Sequence, residues 1–350
     1  MGAFRIAVIG GDGIGPEVTA HAVAVAGRAA GEALQFTDLP WGTGYYQQHG
    51  RMLPADGWEQ LGGYDAILFG AVGHPGVPDR ITVHDLLLPM RRRFDQYVNL
   101  RPAYLFPGVK CPLAGKEPGA IDMLVFRENT EGEYAPVGGT LYPNSPDTVA
   151  VQTGVFTRRG CDRILRAAFA AARARPRKTL TSVTKSNAQV WSMGLWDEVY
   201  EQVRTEYPDV TSNSLLVDAC AMDFVRRPEA FDVVVASNLF GDILTDLSAA
   251  VTGSIGLASS ANINPTRRHP SMFEPVHGSA PDIAGKGVAN PLAAILSAAL
   301  MLDHLQLAAA AGRVRGAVAA VLAGGKSLTP DLGGKATTAD VGAAVLAAVA

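Results

Sequence analysis

Short apolar runs alternate with longer helical periods along the 350-residue chain. FRIAVIG at 4–10 is a short, mostly apolar stretch that ends in glycines, as a buried strand does when it leaves into a tight loop. Pro16 then suits a first helical position, and EVTAHAVAVAGRAAG carries an Ala/Val-rich helix. YDAILFGAVG gives a second strand and a Gly-rich loop at 70–76. IDMLVF (121–126), KTLTSVT (178–184), SLLVDA (214–219) and FDVVVAS (231–237) read as further strands. TRRGCDRILRAAFAAARARP sets Ile164, Leu165, Ala168, Phe169 and Ala172 on one helical face, and Pro176 stops it. Helices are expected near 187–206 and 240–251, and the segment after 290 is mostly Ala/Leu helix. This alternation predicts an α/β fold with a largely parallel sheet. Loop-like composition near 101–119 and 252–285 predicts two interleaved domains: 1–100 plus 255–350, and 101–254.

Charge and composition then narrow the partners. Lys plus Arg is 30 and Asp plus Glu is 33, a net charge of -3. Such a balance argues against a nucleic-acid binder. No apolar run approaches the ~20 residues that span a bilayer, and the N-terminal apolar stretch is too short and too broken for a signal peptide. Cys111, Cys161 and Cys220 are widely spaced, without CxxC, which fits buried thiols in a reducing cytoplasm.

Several motifs carry candidate chemistry. GGDGIGPE at 10–17 begins like a dinucleotide fingerprint, but Pro16 occupies the third glycine position, so the ordinary Rossmann mode fails. In SNLFGDILTDL, Asp242 and Asp246 stand four apart on one helical face. They repel there unless a divalent cation reverses the sign, and hard Mg²⁺ or Mn²⁺ prefers oxygen ligands; the alternative is a pair of solvated first-turn acids. Asp218, placed at a strand end, is a further candidate ligand. Arg91, Arg92, Arg93, Arg101 and Arg127 form a cluster whose forks match carboxylates, or else ordinary surface charge. Lys185 follows a buried strand, where desolvation would suit it to base work. FEPVHGSAPDIAGKGVANP (273–291) is a surface loop or a cradle for a nucleotide.

Taken together, GDGIGPE, NLRP, RENTEG-Y, NLFGDILTD and EPVHGSAPDIAGKG-ANP resemble the β-decarboxylating dehydrogenases, which include isocitrate, 3-isopropylmalate, tartrate and D-malate dehydrogenases. The resemblance covers nearly the whole chain. It implies an isopropylmalate-dehydrogenase-like two-domain fold, with a broad, largely parallel mixed sheet. It implies that Arg91, Arg101 and Arg127 bind malate-type carboxylates, with Leu87 and Leu88 facing the substrate's side group. Asp242 and Asp246 would bind Mg²⁺ or Mn²⁺, with Asp218 and the catalytic Lys185 supplied by the other subunit of a homodimer. K⁺ is a further candidate ion. Tyr134 matches the family's catalytic tyrosine. The implied cofactor residues are Ile14, Glu274, His277, Gly278, Ser279, Ala280, Asp282, Ile283 and Asn290. Asp282 stands where NAD-using members place an acid for the adenosine ribose, so NAD is expected.

The implied reaction is hydride loss from C2, with Lys185 taking the hydroxyl proton, then loss of CO₂ and Tyr134-assisted protonation of the enolate. Substrate choice is less marked. Asp85 and Leu87 replace the Ser and Asn of isocitrate enzymes, which disfavours a third carboxylate. His84 departs from both the Trp of tartrate-type members and the acid of isopropylmalate ones. The middle of the chain looks most like tartrate/D-malate dehydrogenases; 3-isopropylmalate or another 3-substituted malate is the alternative. A non-catalytic regulatory subunit is disfavoured, because every matched catalytic position is intact.

Overall fold

The computed structural model describes residues 2–349. Twelve strands form among them: β1 (Phe4–Gly11), β2 (Leu34–Asp38), β3 (Ala66–Ala71), β4 (Val98–Tyr104), β5 (Asp122–Glu128), β6 (Gly138–Leu141), β7 (Val149–Gln152), β8 (Thr179–Thr184), β9 (Thr211–Leu216), β10 (Val233–Ala236), β11 (Ser259–Ile263) and β12 (Ser271–Pro275). Ten of them build one sheet in the order β2-β1-β3-β12-β11-β4-β5-β10-β8-β9. The β2-β1-β3-β12 flank is parallel, and so is the β5-β10-β8-β9 flank. Antiparallel pairings from β12 through β11 and β4 to β5 join them. The expected α/β class and mostly parallel sheet are therefore present.

Three apolar clusters lie against this sheet. One gathers Ile6, Val18, Leu68, Phe273, Ile295, Val314 and Val345 beneath the helices Gly15–Ala30, Leu292–His304 and Ala308–Gly324. A second, from Val98 to Val251, includes Ile164, Leu165, Ala168, Phe169 and Ala172 of the helix Arg158–Ala174, the face anticipated from periodicity. A third packs Ile9, Trp41, Phe69, Leu86 and Met90.

The structure departs from the sequence reading in several places. The segment 252–285 holds β11 and β12 rather than loop alone, and 101–104 completes β4. These strands lack an apolar pattern because Asn99, Ser260 and Asn262 hydrogen-bond one another: Asn99 Nδ2 donates to Ser260 Oγ at 3.0 Å and to Asn262 Oδ1 at 2.9 Å. Asp218 does not end a strand. β9 stops at Leu216, and Asp218 sits in the first turn of the helix Val217–Arg226, where an acid complements the helix dipole. The helix expected near 187–206 spans Ser192–Arg204. The two-stranded hairpin of β6 and β7, exposed along its length, has no counterpart in the sequence reading.

Candidate active site

The antiparallel centre of the sheet sets two arginines side by side. β4 presents Arg101 and β5 presents Arg127, with Asn99 opposite Arg127 in the register. Both are buried, as is Arg91 on the helix Leu88–Arg93. The helix Asn238–Val251 crosses above them with Asp242. Its close approach depends on Gly241: a Cβ there would lie 2.6 Å from the Cβ and Cγ of Arg127. The helix start is held by Glu133, whose carboxylate accepts from the Ser237 hydroxyl at 2.8 Å and the Leu239 N–H at 3.1 Å.

Asp242 is the hub of the cluster. Its Oδ1 accepts from Arg127 Nη1 at 2.5 Å and Arg101 Nη1 at 3.2 Å; its Oδ2 accepts from the Tyr134 hydroxyl at 2.7 Å. Burial works against its charge, but Arg127 and Arg101 outweigh it and hold the carboxyl below the usual range. Tyr134 moves the other way. Burial and the bond to Asp242 push its phenol up to about 12, so the proton stays on Oη. Burial, then Arg101, pulls the Arg127 guanidinium down, and Asp242 opposes that pull. Asn238 Oδ1 holds the other side of Arg127, accepting from Nε at 3.1 Å and Nη2 at 2.6 Å. Arg91 is held by Glu274 at 2.9 Å, and Asn262 Nδ2 donates to the same oxygen at 2.8 Å.

These groups line a cavity of about 550 Å³ together with His84, Leu87, Leu88, Glu133, Gln152, His277 and Gly278. A larger cavity of about 650 Å³ has mainly apolar walls and shares only Arg101 and Val276 with it. The cavity that gathers the ionisable groups is the candidate site.

Asp246, one turn beyond Asp242, lies outside the cavity wall and is exposed. Partial desolvation raises its carboxyl; Arg101 opposes the shift and Asp242 adds to it. Two carboxylates one turn apart are a donor set that a hard divalent cation accepts. Among the described residues no three acidic, His or Cys side chains of this chain gather into a metal site. Such an ion therefore needs another ligand from outside this cluster. Lys185 and Asp218 are not at the cavity. They pair with each other at 2.8 Å, and that bond holds the Asp218 carboxyl below its usual range. In this pair the Lys185 side chain is 27% exposed, neither fully desolvated nor a freely solvated strand end.

The glycine-rich loops meet on another side. The Ile14 N–H donates to the Ser279 carbonyl at 2.9 Å, and a Cβ on Gly13 would lie 1.9 Å from that oxygen. Ala280 adopts φ +40°, a left-handed conformation rare outside glycine. Asn290 Oδ1 accepts from Leu292 N–H at 3.0 Å, while Asp282 is exposed and Ile283 half-buried. His277 has a buried Nε2 with no hydrogen-bond partner among the described residues, and burial lowers its imidazole pKa. An unsatisfied polar atom beside this loop cradle fits a cofactor with hydrogen-bonding groups. Sequence reasoning missed Asn238 and Glu133. Their signal is positional: Asn238 opens the helix after β10, and Glu133 lies within RENTEGEY.

The pattern of the family described as isocitrate/isopropylmalate dehydrogenase matches residues 5–345. The chain belongs to this family. The D-malate dehydrogenase [decarboxylating] of Escherichia coli (strain K12) is 54% identical over 342 residues, covering 95% of this chain and 94% of that protein. The tartrate dehydrogenase/decarboxylase of Pseudomonas putida is 51% identical over 354 residues, covering 98% and 97%. The crystal structure of isocitrate dehydrogenase from Methylococcus capsulatus superposes with a TM-score of 0.90 at 36% identity, covering 99% of each chain. Family membership makes the chain an oxidoreductase, and the sheet described above is the family's fold.

Proposed function

We propose that the protein oxidises and decarboxylates a (2R)-malate-type hydroxy acid, D-malate or tartrate, using NAD and Mg²⁺ or Mn²⁺. The observation that carries this reading is the convergence of Arg91, Arg101, Arg127, Tyr134 and Asp242 on one cavity. Similarity to the named D-malate and tartrate enzymes supports the substrate class.

The three guanidiniums are forks of N–H donors suited to the two carboxylates of such an acid. Each is pre-oriented by a partner: Arg91 by Glu274, Arg101 by Thr245 at 2.6 Å, Arg127 by Asn238. Asp242 and Asp246, with Asp218 of a second copy, would hold a divalent ion, whose chemistry there would be Lewis-acid polarisation of the substrate's C2 oxygen; NAD would be the hydride acceptor. Lys185, also from the second copy, takes the C2 hydroxyl proton. Tyr134 keeps its proton at Oη until the enolate left by CO₂ departure needs one. The loops around Ile14, His277 to Ile283 and Asn290, with Glu274, would hold NAD, and Asp282 would disfavour a 2′-phosphate.

A homodimer with shared sites follows from the same reading. It is supported by the separation of Lys185 and Asp218 from the cavity. It is also supported by exposed apolar residues on the hairpin (Leu141, Tyr142, Val151), on the helices bearing Asp218 and Asp242 (Met222, Ile243), and at Trp191, which is 90% exposed. The division into 1–100 plus 255–350 and 101–254 is supported by the second apolar cluster, whose buried members run only from Val98 to Val251. A cytoplasmic location is supported by three cysteines free of disulfides. No helix among the described residues is long and apolar enough to cross a membrane.

The test is NADH absorbance with D-malate, tartrate, 3-isopropylmalate and isocitrate, with and without Mn²⁺, in K⁺ and in Na⁺. Turnover of D-malate or tartrate that stops on chelation is expected. Preference for 3-isopropylmalate would move the assignment to that relative, and no turnover of any acid would overturn it.

A further inference from the structure

The three arginines of the cavity are not held alike. Asn238 grips Arg127 through Nε and Nη2, and Asp242 takes its Nη1. Arg101 donates to both Thr245 and Asp242. Arg91 has a single side-chain partner among the described residues: its Nη2 donates to Glu274 Oε1 at 2.9 Å, while its buried Nε has none. The direction of the Arg91 guanidinium therefore follows from where the Glu274 carboxylate is held.

Glu274 is in turn held from outside the cavity. It lies on β12, and Asn262 of the neighbouring strand β11 donates from Nδ2 to the same Oε1 at 2.8 Å. That amide has its own anchors. Its Oδ1 accepts from Asn99 Nδ2 on β4 and from Asn129 Nδ2, just after β5, each at 2.9 Å. Asn129 Nδ2 also donates to the Gln96 carbonyl at 2.8 Å. With two donors on its oxygen, the Asn262 amide has one orientation left, with its NH₂ toward Glu274. All three asparagines are buried, and none lines the cavity. A mid-sheet amide costs more to bury than an apolar side chain of its size unless its bonds are made, and here they converge on one carboxylate oxygen.

We propose that Asn262 is a positioning residue for substrate binding: it fixes the Glu274 carboxylate, which in turn sets Arg91 for a carboxylate of the acid. This rests on the reading of the cavity as a malate-type site. Asn262 acts through Glu274 and Arg91 and contacts no substrate itself. A guanidinium already held in direction gives up less side-chain freedom when the acid binds, so the gain falls on affinity rather than on the chemical step.

Asn262→Asp removes the donor to Glu274 but keeps an acceptor for Asn99 and Asn129; Asn262→Ala removes the donor without adding a charge. Each is made alone and together with Arg91→Ala, and kcat and KM are measured with the better of D-malate and tartrate at saturating NAD and Mn²⁺. The expected result, in each Asn262 variant that folds, is a KM for the acid raised about tenfold with kcat within about threefold of wild type. In the Arg91→Ala background the same changes should lower kcat/KM by less than about threefold further, because the residue they act through is gone. A KM for the acid within about threefold of wild type overturns the proposal. An effect confined to one of two folded variants does so too: charge repulsion alone accounts for Asn262→Asp, and a packing defect for Asn262→Ala. So does a loss as large in the Arg91→Ala background as without it, a defect that falls on the KM for NAD instead, or failure of both variants to fold, since Asn262 would then serve the fold. If wild type turns over no malate-type acid, the reading of the cavity fails and this proposal with it; an active wild type matched by its variants overturns this proposal alone.

Discussion

The Tyr134 hydroxyl donates to Asp242 Oδ2 at 2.7 Å, and the same aspartate accepts from two buried arginines on its other oxygen. Burial first, and then this bond, push the phenol up to about 12 against the pull of Arg127 and Arg101, so the proton stays on Oη at neutral pH. A group that holds its proton so firmly is suited to donate late, to a strongly basic carbon. Tyr134→Phe is therefore expected to slow enolate protonation by about 10²-fold or more while hydride transfer falls less. Measuring NADH formation and CO₂ release separately checks this; equal, small effects on both would remove Tyr134 from the chemistry.

Asp242 also has a structural duty. Without its charge, Arg101 and Arg127 lie buried side by side with no carboxylate in ion-pair contact among the described residues. Asp242→Asn is expected to lose about 2–3 kcal/mol of stability in chelator, at or below the low end for a broken buried pair because the carboxylate side chain keeps 31% exposure. Thermal or urea unfolding reads this directly. Stability equal to wild type would mean that the arginines relax apart.

Much of this site can be read in the sequence, and the unread part has a physical cause. The inner strands β3 and β10 are apolar runs, since both of their faces are covered, and the helix Arg158–Ala174 shows its buried face by periodicity. β4 and β11 hide because Asn99, Arg101, Ser260 and Asn262 spend their inward positions on hydrogen bonds. A polar strand in the middle of a sheet looks like loop to any reading by hydropathy. The three arginines and Asp242 are recognisable from motif order, whereas the engagement of Arg101 and Arg127 with Asp242 is a tertiary fact. Glu133 and Asn238 take part through contacts more than 100 residues apart in the chain, beyond any local pattern.

A pH effect on stability follows from His304. Burial pulls its imidazole down to about 4, with Arg267 adding to the shift. Its unfolded value is 6.5, so between these limits the unfolded chain binds a proton that the native chain refuses. The neutral native form is fully favourable above pH 6.5, and that contribution is lost as pH falls toward 4. The expected loss is on the order of 2–3 kcal/mol. His304→Gln should flatten the dependence of unfolding free energy on pH across this window; an unchanged slope would reject the assignment.

Cofactor preference tests the exposed Asp282. In the proposed NAD site a carboxylate there would accept from ribose hydroxyls and repel a 2′-phosphate. Asp282→Lys is expected to shift the NAD-to-NADP ratio of kcat/KM toward NADP by about tenfold or more, one favourable charge contact replacing a repulsive one. A ratio unmoved by the substitution would place the adenosine ribose elsewhere.

The pairing of Lys185 with Asp218, away from Asp246 and the cavity, gives the dimer its sharpest test. If each site takes Lys185 from one chain and Asp246 from the other, a Lys185→Ala chain and an Asp246→Asn chain are each inactive alone. A mixed dimer, however, holds one site in which both groups are native, alongside one in which both are altered. About one site in two then works in every mixed dimer, as two-fold symmetry requires. If both groups instead served a site within one chain, every site in the mixed dimer would carry one defect and none would work. Co-expression with two affinity tags isolates the mixed species, and its turnover per dimer distinguishes the two arrangements: recovery near half of wild type is expected, and none would assign Lys185 to its own chain's site or to no site.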